Sequence, residues 1–364
     1  KHLNAHSETN QSCSIFFHFM RSQSASLHSL RTALLCPICQ TIPTTQSHVA
    51  HAVRRAALTP RGKQDGRNDE RARTVLELVR AMDEEWRGRG ATEDGPAGGG
   101  RNELVCYVRA TCDALSMASF CLPPEEAEGE TRRLLRRLDE IRDCASRDGG
   151  DGLDEATVTM VDRALLWAIR AWEGRAIEAA ASSGGDSLGG NERRPLRRPA
   201  DRLADISLAA GAADAILETL RDWGHVVEKR HYGPVTHACC LAAHPSIVHS
   251  ADVDVLMDVL PLLERAEELL RQMGDRYPPL DVGQCNHVLS GWYSLSGVVA
   301  DVGQATVAAT TAPTLPADRA DRLLRYMFQR DSEGNLLVHP RPERSTRAYN
   351  YVLQAWAKSR TGTH

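Results

Sequence analysis

With 364 residues, 42% of them hydrophobic, the chain is long enough for one large domain, two ordinary domains or an array of repeats with a packed core. Aromatic residues make up only 5%, which argues against an aromatic-rich β-sandwich, while abundant Leu, Ala, Arg and Glu favour an all-α fold. The formal net charge is −4, so the chain as a whole lacks the positive charge that is typical of nucleic-acid-binding domains.

The first 64 residues differ in composition from the rest of the chain. They contain seven Lys or Arg and one acidic residue, Glu8, so they carry a net charge of +6 and leave −10 for the remainder. A basic, Ser-rich and acid-poor leader is typical of a transit peptide for a mitochondrion or plastid. The alternative is a disordered tail on a cytoplasmic protein. No apolar run approaches the ~20 residues of a membrane span, so we expect no membrane partner.

After the leader, two types of amphipathic helix alternate about five times along the chain. In the second type, a small residue precedes a Leu-rich stripe, as in "ERAEELLRQM" (264–273) and "DRADRLLRYM" (318–327). Apolar residues three and four positions apart, with charged residues between them, predict an amphipathic helix. The small residues of the five copies are Ala72, Thr131, Ala213, Ala266 and Ala320.

The first type of helix carries Asn and Trp at fixed positions in its best copies, "CNHVLSGWYS" (285–294) and "YNYVLQAWAK" (349–358). The copies "LLWAIRAWEG" (165–174) and "HACCLAAH" (237–244) have other residues in place of the Asn. Two alternating types predict an α-solenoid of antiparallel helix pairs. The last copy is predicted to be the first helix of a pair whose second helix the sequence does not include. The alternative is a single helix that caps the solenoid.

These patterns predict four segments. Residues 1–64 form the leader, and residues 65–181 form degenerate helical repeats. A Gly/Ser/Arg linker follows at 182–200, because such a tract cannot bury enough apolar surface to fold. Residues 201–364 form further helical repeats that stop in mid-repeat.

Over roughly residues 260–360, the helix pairs resemble those of the pentatricopeptide repeat family. The resemblance is carried by "DVGQCNHVLSGW" (281–292) and "RSTRAYNYVLQAWAKS" (344–359), which follow the Pro-containing segments "RYPPL" and "VHPRP", and by second helices that end in Met. The steps from Ala213 to Ala266 and from Ala266 to Ala320, 53 and 54 residues, are longer than the family's usual repeat. The resemblance therefore implies degenerate repeats expanded by loops.

The resemblance implies a protein that binds single-stranded RNA and acts in organellar RNA processing, stability or translation, without enzymatic activity or a cofactor. An Asn amide both donates and accepts hydrogen bonds, so it can pair with a base edge. Asn286 together with Ser345 would resemble a pyrimidine-reading combination. The residues that the family pattern assigns to base reading or base packing are Asn286, Asn350, Asp281, Ser345, Val282 and Thr346.

Each of these assignments has a structural alternative. An Asn near a helix start is more often a cap or a surface residue than a base reader. The arginines of the loop "NERRPLRRP" (191–199) could bind phosphates or form a solvated surface, and so could those of the helix "RRLLRRLDEIR" (132–142). The loop candidates for RNA contact are Arg193, Arg194, Arg197 and Arg198.

Other functions receive less support from the sequence. A protein-interaction scaffold, for example in an organellar ribosome or complex, is the alternative that the acidic body favours. No metal is expected, although His237, Cys240 and His244 would share one face if 237–244 were entirely helical. The sequence has no phosphate-binding loop, no nucleophile elbow and no H-E-x-x-H helix, so we predict no enzyme.

Overall fold

The computed structural model describes residues 65–90, 101–147, 153–181, 197–225, 227–248, 253–306, 316–330, 333–339 and 345–361. Helices make up 86% of the described residues, so the predicted all-α class is confirmed. The leader, with its predicted transit peptide, lies outside the described residues, as do Arg193 and Arg194. Among the described helices, none combines the length and apolar character needed to cross a membrane.

The helices follow one another along the chain with short strands before two of them. The strands β1 (Leu280–Asp281) and β2 (Val338–His339) are parallel. The helices are α1 (Asp65–Gly90), α2 (Arg101–Cys121), α3 (Pro124–Arg147), α4 (Glu155–Ala181), α5 (Pro199–Asp222), α6 (Lys229–Leu241), α7 (Pro245–Val248), α8 (Val253–Arg276), α9 (Val282–Thr306), α10 (Pro316–Met327) and α11 (Thr346–Thr361).

The chain divides into two compact units, Lys1–Ala164 and Leu165–His364, and the boundary falls inside α4. Most of the linker predicted at 182–200 lies outside the described residues. In the first unit, α2 packs against both α1 and α3. Its core is built from apolar residues of all three helices, including Leu76, Leu115 and Leu134. Burial of these side chains is the main stabilising contribution to the unit.

In the second unit, helices of the first type contact one another in chain order, α6 against α9 and α9 against α11. The helix α8 packs on α5, α6 and α9, and α10 packs on α9 and α11. The predicted small positions of the second helix type are all buried in the structure, in both units. Small residues at these positions let neighbouring helices approach closely.

One predicted helix is shorter than expected. The segment 237–244 was predicted as helical throughout, but α6 ends at Leu241 and a turn follows. Pro245 begins the four-residue helix α7, and a residue that precedes Pro is sterically disfavoured from the α conformation. His244 therefore lies outside α6.

Candidate functional site

A short parallel ladder joins two chain segments that precede α9 and α11. In this ladder Leu280 pairs with Val338 and Asp281 pairs with His339. Leu280 and Val338 are buried, so they anchor the two segments in the core, while Asp281 and His339 are exposed. The ladder thus includes Asp281, the first of the predicted reading positions, and its second strand ends six residues before Ser345.

The two predicted second reading positions are the N-caps of these helices. The Asp281 carboxylate accepts a hydrogen bond from the Gly283 N–H at 2.5 Å. The Ser345 hydroxyl accepts one from the Ala348 N–H at 3.3 Å. Such caps satisfy N–H groups that have no partner within the helix, and they fix the side-chain oxygen in position.

Asn286 and Ser345 are brought together although 59 residues separate them in sequence. The Asn286 Nδ2 donates to the Ser345 Oγ at 3.4 Å, and both side chains are half-buried. The Asn286 Oδ1 accepts no hydrogen bond from any described residue. The amide therefore keeps hydrogen-bonding capacity that contacts with the described residues do not use.

The other predicted base contacts lie around this pair. Val282, the first residue of α9, is half-buried, whereas Thr346 and Asn350 on α11 are exposed. The structure thus brings together one predicted pair, Asn286 with Ser345, and leaves Asn350 on an open surface.

Two pairs of polar rings lie between neighbouring first helices, and the sequence did not reveal them. The rings of His237 on α6 and His287 on α9 have centroids 4.5 Å apart, and the His237 Nδ1 lies 2.8 Å from the Glu173 Oε1 on α4. Partial burial and the neighbouring His237 lower the pKa of His287. The only signal in the sequence was the ring that follows each Asn, at His287 and Tyr351.

The second pair of rings lies between α9 and α11. The rings of Tyr293 and Tyr351 have centroids 5.7 Å apart, and the Lys358 Nζ lies 3.9 Å from the centroid of Tyr293. Cations are attracted to the electron-rich face of such rings. Neighbouring first helices therefore meet through polar and aromatic side chains, which can also bind polar ligands.

The arginine-rich segments have different environments. In the loop, Arg197 pairs with Asp205, and Arg198 is exposed. In α3, Arg133 and Arg137 both pair with the buried carboxylate of Asp83. Arg137 is only 6% exposed, so it lies neither on an accessible phosphate-binding surface nor on a solvated face of the helix.

The alternative metal site is not formed. The His237 Nδ1 contacts Glu173, and the His244 Nδ1 lies 2.7 Å from the Ser246 Oγ. Cys240 is buried, which raises the pKa of its thiol. The condition for a shared face, a helix that continues to residue 244, is not met because α6 ends at Leu241. Within the described residues, no group of three or more His, Cys, Asp or Glu side chains could hold a metal ion.

Comparison with protein-family profiles, curated proteins and solved structures finds no match to this chain. The resemblance to pentatricopeptide repeats therefore remains a prediction that is based on the residues of this chain alone.

Proposed function

We propose that the chain is a pentatricopeptide-like helical-repeat protein that binds single-stranded RNA, with a role in organellar RNA processing, stability or translation. The contact between Asn286 and Ser345 carries the proposal. The family pattern assigns these two residues to one base-reading pair, and the chain brings them within 3.4 Å across a 59-residue separation. An Asn that served only as a local cap would bond its own helix instead.

The order of helix contacts supports the repeat architecture. In a stack of antiparallel helix pairs, each first helix contacts the next first helix, and each second helix lies between two first helices. The contacts of α6, α9 and α11 with one another, and of α8 and α10 with them, follow this order. We therefore propose a solenoid over the second unit.

The chemistry around the pair suits a nucleotide. The Asn286 amide has the donor and the acceptor that a base edge requires, and Val282 offers an apolar surface beside it. Because the Asn286 Oδ1 is buried in the free protein, the side chain must turn outward to accept a hydrogen bond from a base. Arg347 is exposed in the first turn of α11 and forms no salt bridge with a described residue, so it can meet a phosphate. The N-termini of α9 and α11 add partial positive charge at the same place.

The proposal is tested by titrating the full chain into a fluorescent single-stranded RNA pool at about 50 mM and about 200 mM salt. We expect binding that weakens steeply with salt, because released counterions drive much of the affinity. Asn286→Ala should weaken binding to preferred sequences roughly tenfold. Gln354→Ala, which changes an exposed polar residue of α11, is the matched control and should bind as the wild type does. Absence of binding at the lower salt concentration would contradict the proposal.

A protein-interaction scaffold is the second candidate function, and exposed apolar side chains favour it. Leu353 on α11 is 66% exposed and Met257 on α8 is 62% exposed. Several arginines that could bind phosphates instead pair with acids of neighbouring helices, as Arg265 does with Asp214. A scaffold would use such apolar surfaces for a protein ligand and would not require the Asn286 amide.

A further inference from the structure

Two histidines meet where α6 packs against α9, next to the proposed reading pair. The rings of His237 and His287 have centroids 4.5 Å apart and are tilted by 54°. His287 directly follows Asn286, which contacts Ser345 at the start of α11. Consecutive residues of α9 thus face opposite neighbours, one towards α11 and the other towards α6. An RNA strand that follows the row of first helices would meet both.

The junction of α6 and α9 differs from the junction of α9 and α11 in its polar groups. In the pattern of the first helices, Ala238 stands in the place of Asn286, and it is 0% exposed. An Ala side chain cannot form a hydrogen bond with a base edge. The junction offers two imidazole rings instead, and that of His287 is exposed to solvent. Its contribution to RNA binding would therefore be made to the backbone of the RNA.

Both rings have a nitrogen that can take up a proton and donate it. The His237 Nδ1 lies 2.8 Å from the Glu173 Oε1 on α4. An ionised carboxylate only accepts hydrogen bonds, so the Nδ1 carries the hydrogen and the Nε2 is the nitrogen that gains or loses a proton. Neither ring nitrogen of His287 forms a hydrogen bond with a described residue. When protonated, each ring can donate to a phosphate oxygen.

Four charged or titratable groups from four elements act on His287. They are His237 on α6, Glu173 on α4, Asp281 on β1 and Arg347 on α11. Partial burial and the neighbouring His237 lower the pKa of His287, so this ring is neutral in the free protein at pH values above its ordinary range. A phosphate acts in the opposite direction, because a negative charge beside both rings favours their protonated forms.

The other helices that pack against α9 meet it at other levels or through uncharged side chains. Arg319 of α10 lies 5.6 Å from the centroid of the Trp292 ring, and Leu263 of α8 lies against Gly291. The four residues of α7 include no charged side chain. The four groups named above are therefore the charges that decide whether His287 binds a proton.

We propose that His237 and His287 form a phosphate-binding site for the RNA backbone that strengthens when the pair is protonated. The inference rests on the proposed RNA binding and adds regulation by pH to it. Since the protonated pair is the form that holds the phosphate, RNA affinity rises as the pH falls. The rise occurs around and below about pH 6.5, where imidazole takes up its proton.

The test titrates the full chain into a fluorescent single-stranded RNA pool at about pH 7.5 and about pH 5.5, with the ionic strength held constant. We expect the wild type to bind roughly tenfold more tightly at the lower pH, because a charge-assisted hydrogen bond to phosphate replaces a neutral contact. His287→Gln keeps a polar side chain without a titrating group. It should bind as the wild type does at the higher pH and gain less than about threefold at the lower pH, a gain left to the other histidines.

Two further variants separate this charge from other effects. His287→Lys places a permanent positive charge at the position and should bind at the higher pH about as tightly as the wild type does at the lower pH. His225→Gln removes a titrating ring that contacts Trp223 between α5 and α6, and should keep the pH dependence of the wild type. His287 is exposed, so its replacement should not unfold the protein, and circular dichroism at both pH values checks this point.

The outcomes distinguish this inference from RNA binding itself. An equal gain at the lower pH in the wild type and in His287→Gln would overturn the phosphate site and leave RNA binding standing. Loss of the gain in His225→Gln as well would also overturn it, because total charge would then explain the effect. Absence of binding by the folded wild type at both pH values would contradict RNA binding and the phosphate site together.

Discussion

At the scale of single residues, a cluster of side chains around the Asp83 carboxylate joins three helices of the first unit. It accepts hydrogen bonds from Arg133 at 2.9 Å and Arg137 at 3.0 Å, both on α3, and the Arg137 Nε also lies 2.6 Å from the Tyr107 hydroxyl on α2. Asp83 itself lies on α1 and is 6% exposed. A buried ion cluster of this kind is stabilising only while each charge keeps its partners.

Asp83→Ala is expected to lower the free energy of unfolding by about 2–3 kcal/mol, because Arg133 and Arg137 lose the buried carboxylate that they share and keep only Glu130 and Glu140 as partners. Urea denaturation monitored by circular dichroism measures the change. Asp139→Ala removes the exposed acid that pairs with Arg142 at 3.3 Å, and should alter stability by less than about 1 kcal/mol. Equal effects of the two substitutions would show that the cluster does not stabilise the unit.

The same cluster shows what the sequence could not reveal about residues. Arg133 and Arg137 belong to a basic run that was compatible with RNA contact, and their partner Asp83 lies 50 and 54 residues away in the sequence. Pairing over such distances depends on tertiary packing. The proximity of Asn286 to Ser345 was predicted only because a resemblance supplied the pairing, and the ring contact between His237 and His287 was missed for lack of any such guide.

At the scale of helices, the packing of α8 against α9 at Gly291 depends on the absence of a side chain there. A Cβ added to Gly291 would lie 2.5 Å from the Leu263 Cδ2, and Leu263 is 0% exposed, so it has little room to move. For the next two helices, α10 and α11, the residues at the equivalent positions are Ala317 and Ala355, both 0% exposed. The combination of Gly with Leu between α8 and α9 is therefore replaced by Ala with Ala between α10 and α11, which keeps the combined side-chain volume of the two positions more even.

Gly291→Ala is expected to destabilise the second unit by about 1–3 kcal/mol through overpacking, despite the higher helix propensity of Ala. The double variant Gly291→Ala/Leu263→Ala, which imitates the next pair, should recover part of this loss. Thermal unfolding of the three proteins measures both effects.

Gly211→Ala on α5 is the matched control, since a Cβ there meets nothing within 4 Å. It should stabilise the protein by about 0.5–1 kcal/mol. If Gly291→Ala stabilised the protein to the same extent, the proposed close contact between α8 and α9 would be wrong.

The helices themselves were largely predictable, and their ends were less so. Apolar periodicity located the helical segments at 264–273 and 318–327 inside α8 and α10. The same periodicity extended the predicted helix to residue 244, whereas α6 ends at Leu241, because the apolar pattern takes no account of the steric effect of Pro245 on the residue before it. Periodicity reports which face of a helix is apolar, whereas the end of a helix depends on local backbone sterics.

At the scale of the whole molecule, composition and periodicity were sufficient to predict an all-α protein. They could not give the order of helix contacts, because every amphipathic face in the chain is compatible with several partners. They also could not show which surfaces stay exposed. Tyr349 and Leu353 of α11 occupy the same pattern positions as Cys285 and Leu289 of α9, yet the first two are exposed and the last two are buried.

The most direct test of the proposed RNA recognition is to select RNA from a random single-stranded pool with the wild type and with Ser345→Asp. Asp occupies the equivalent position 281, where it caps α9, so the cap of α11 should be kept. The substitution replaces a hydroxyl that donates and accepts with a carboxylate that only accepts. We predict that sequencing of the selected RNA shows a changed base preference at one position and unchanged preferences elsewhere. Identical preferences for both proteins, or no enrichment by the wild type, would contradict the reading of RNA by Asn286 and Ser345.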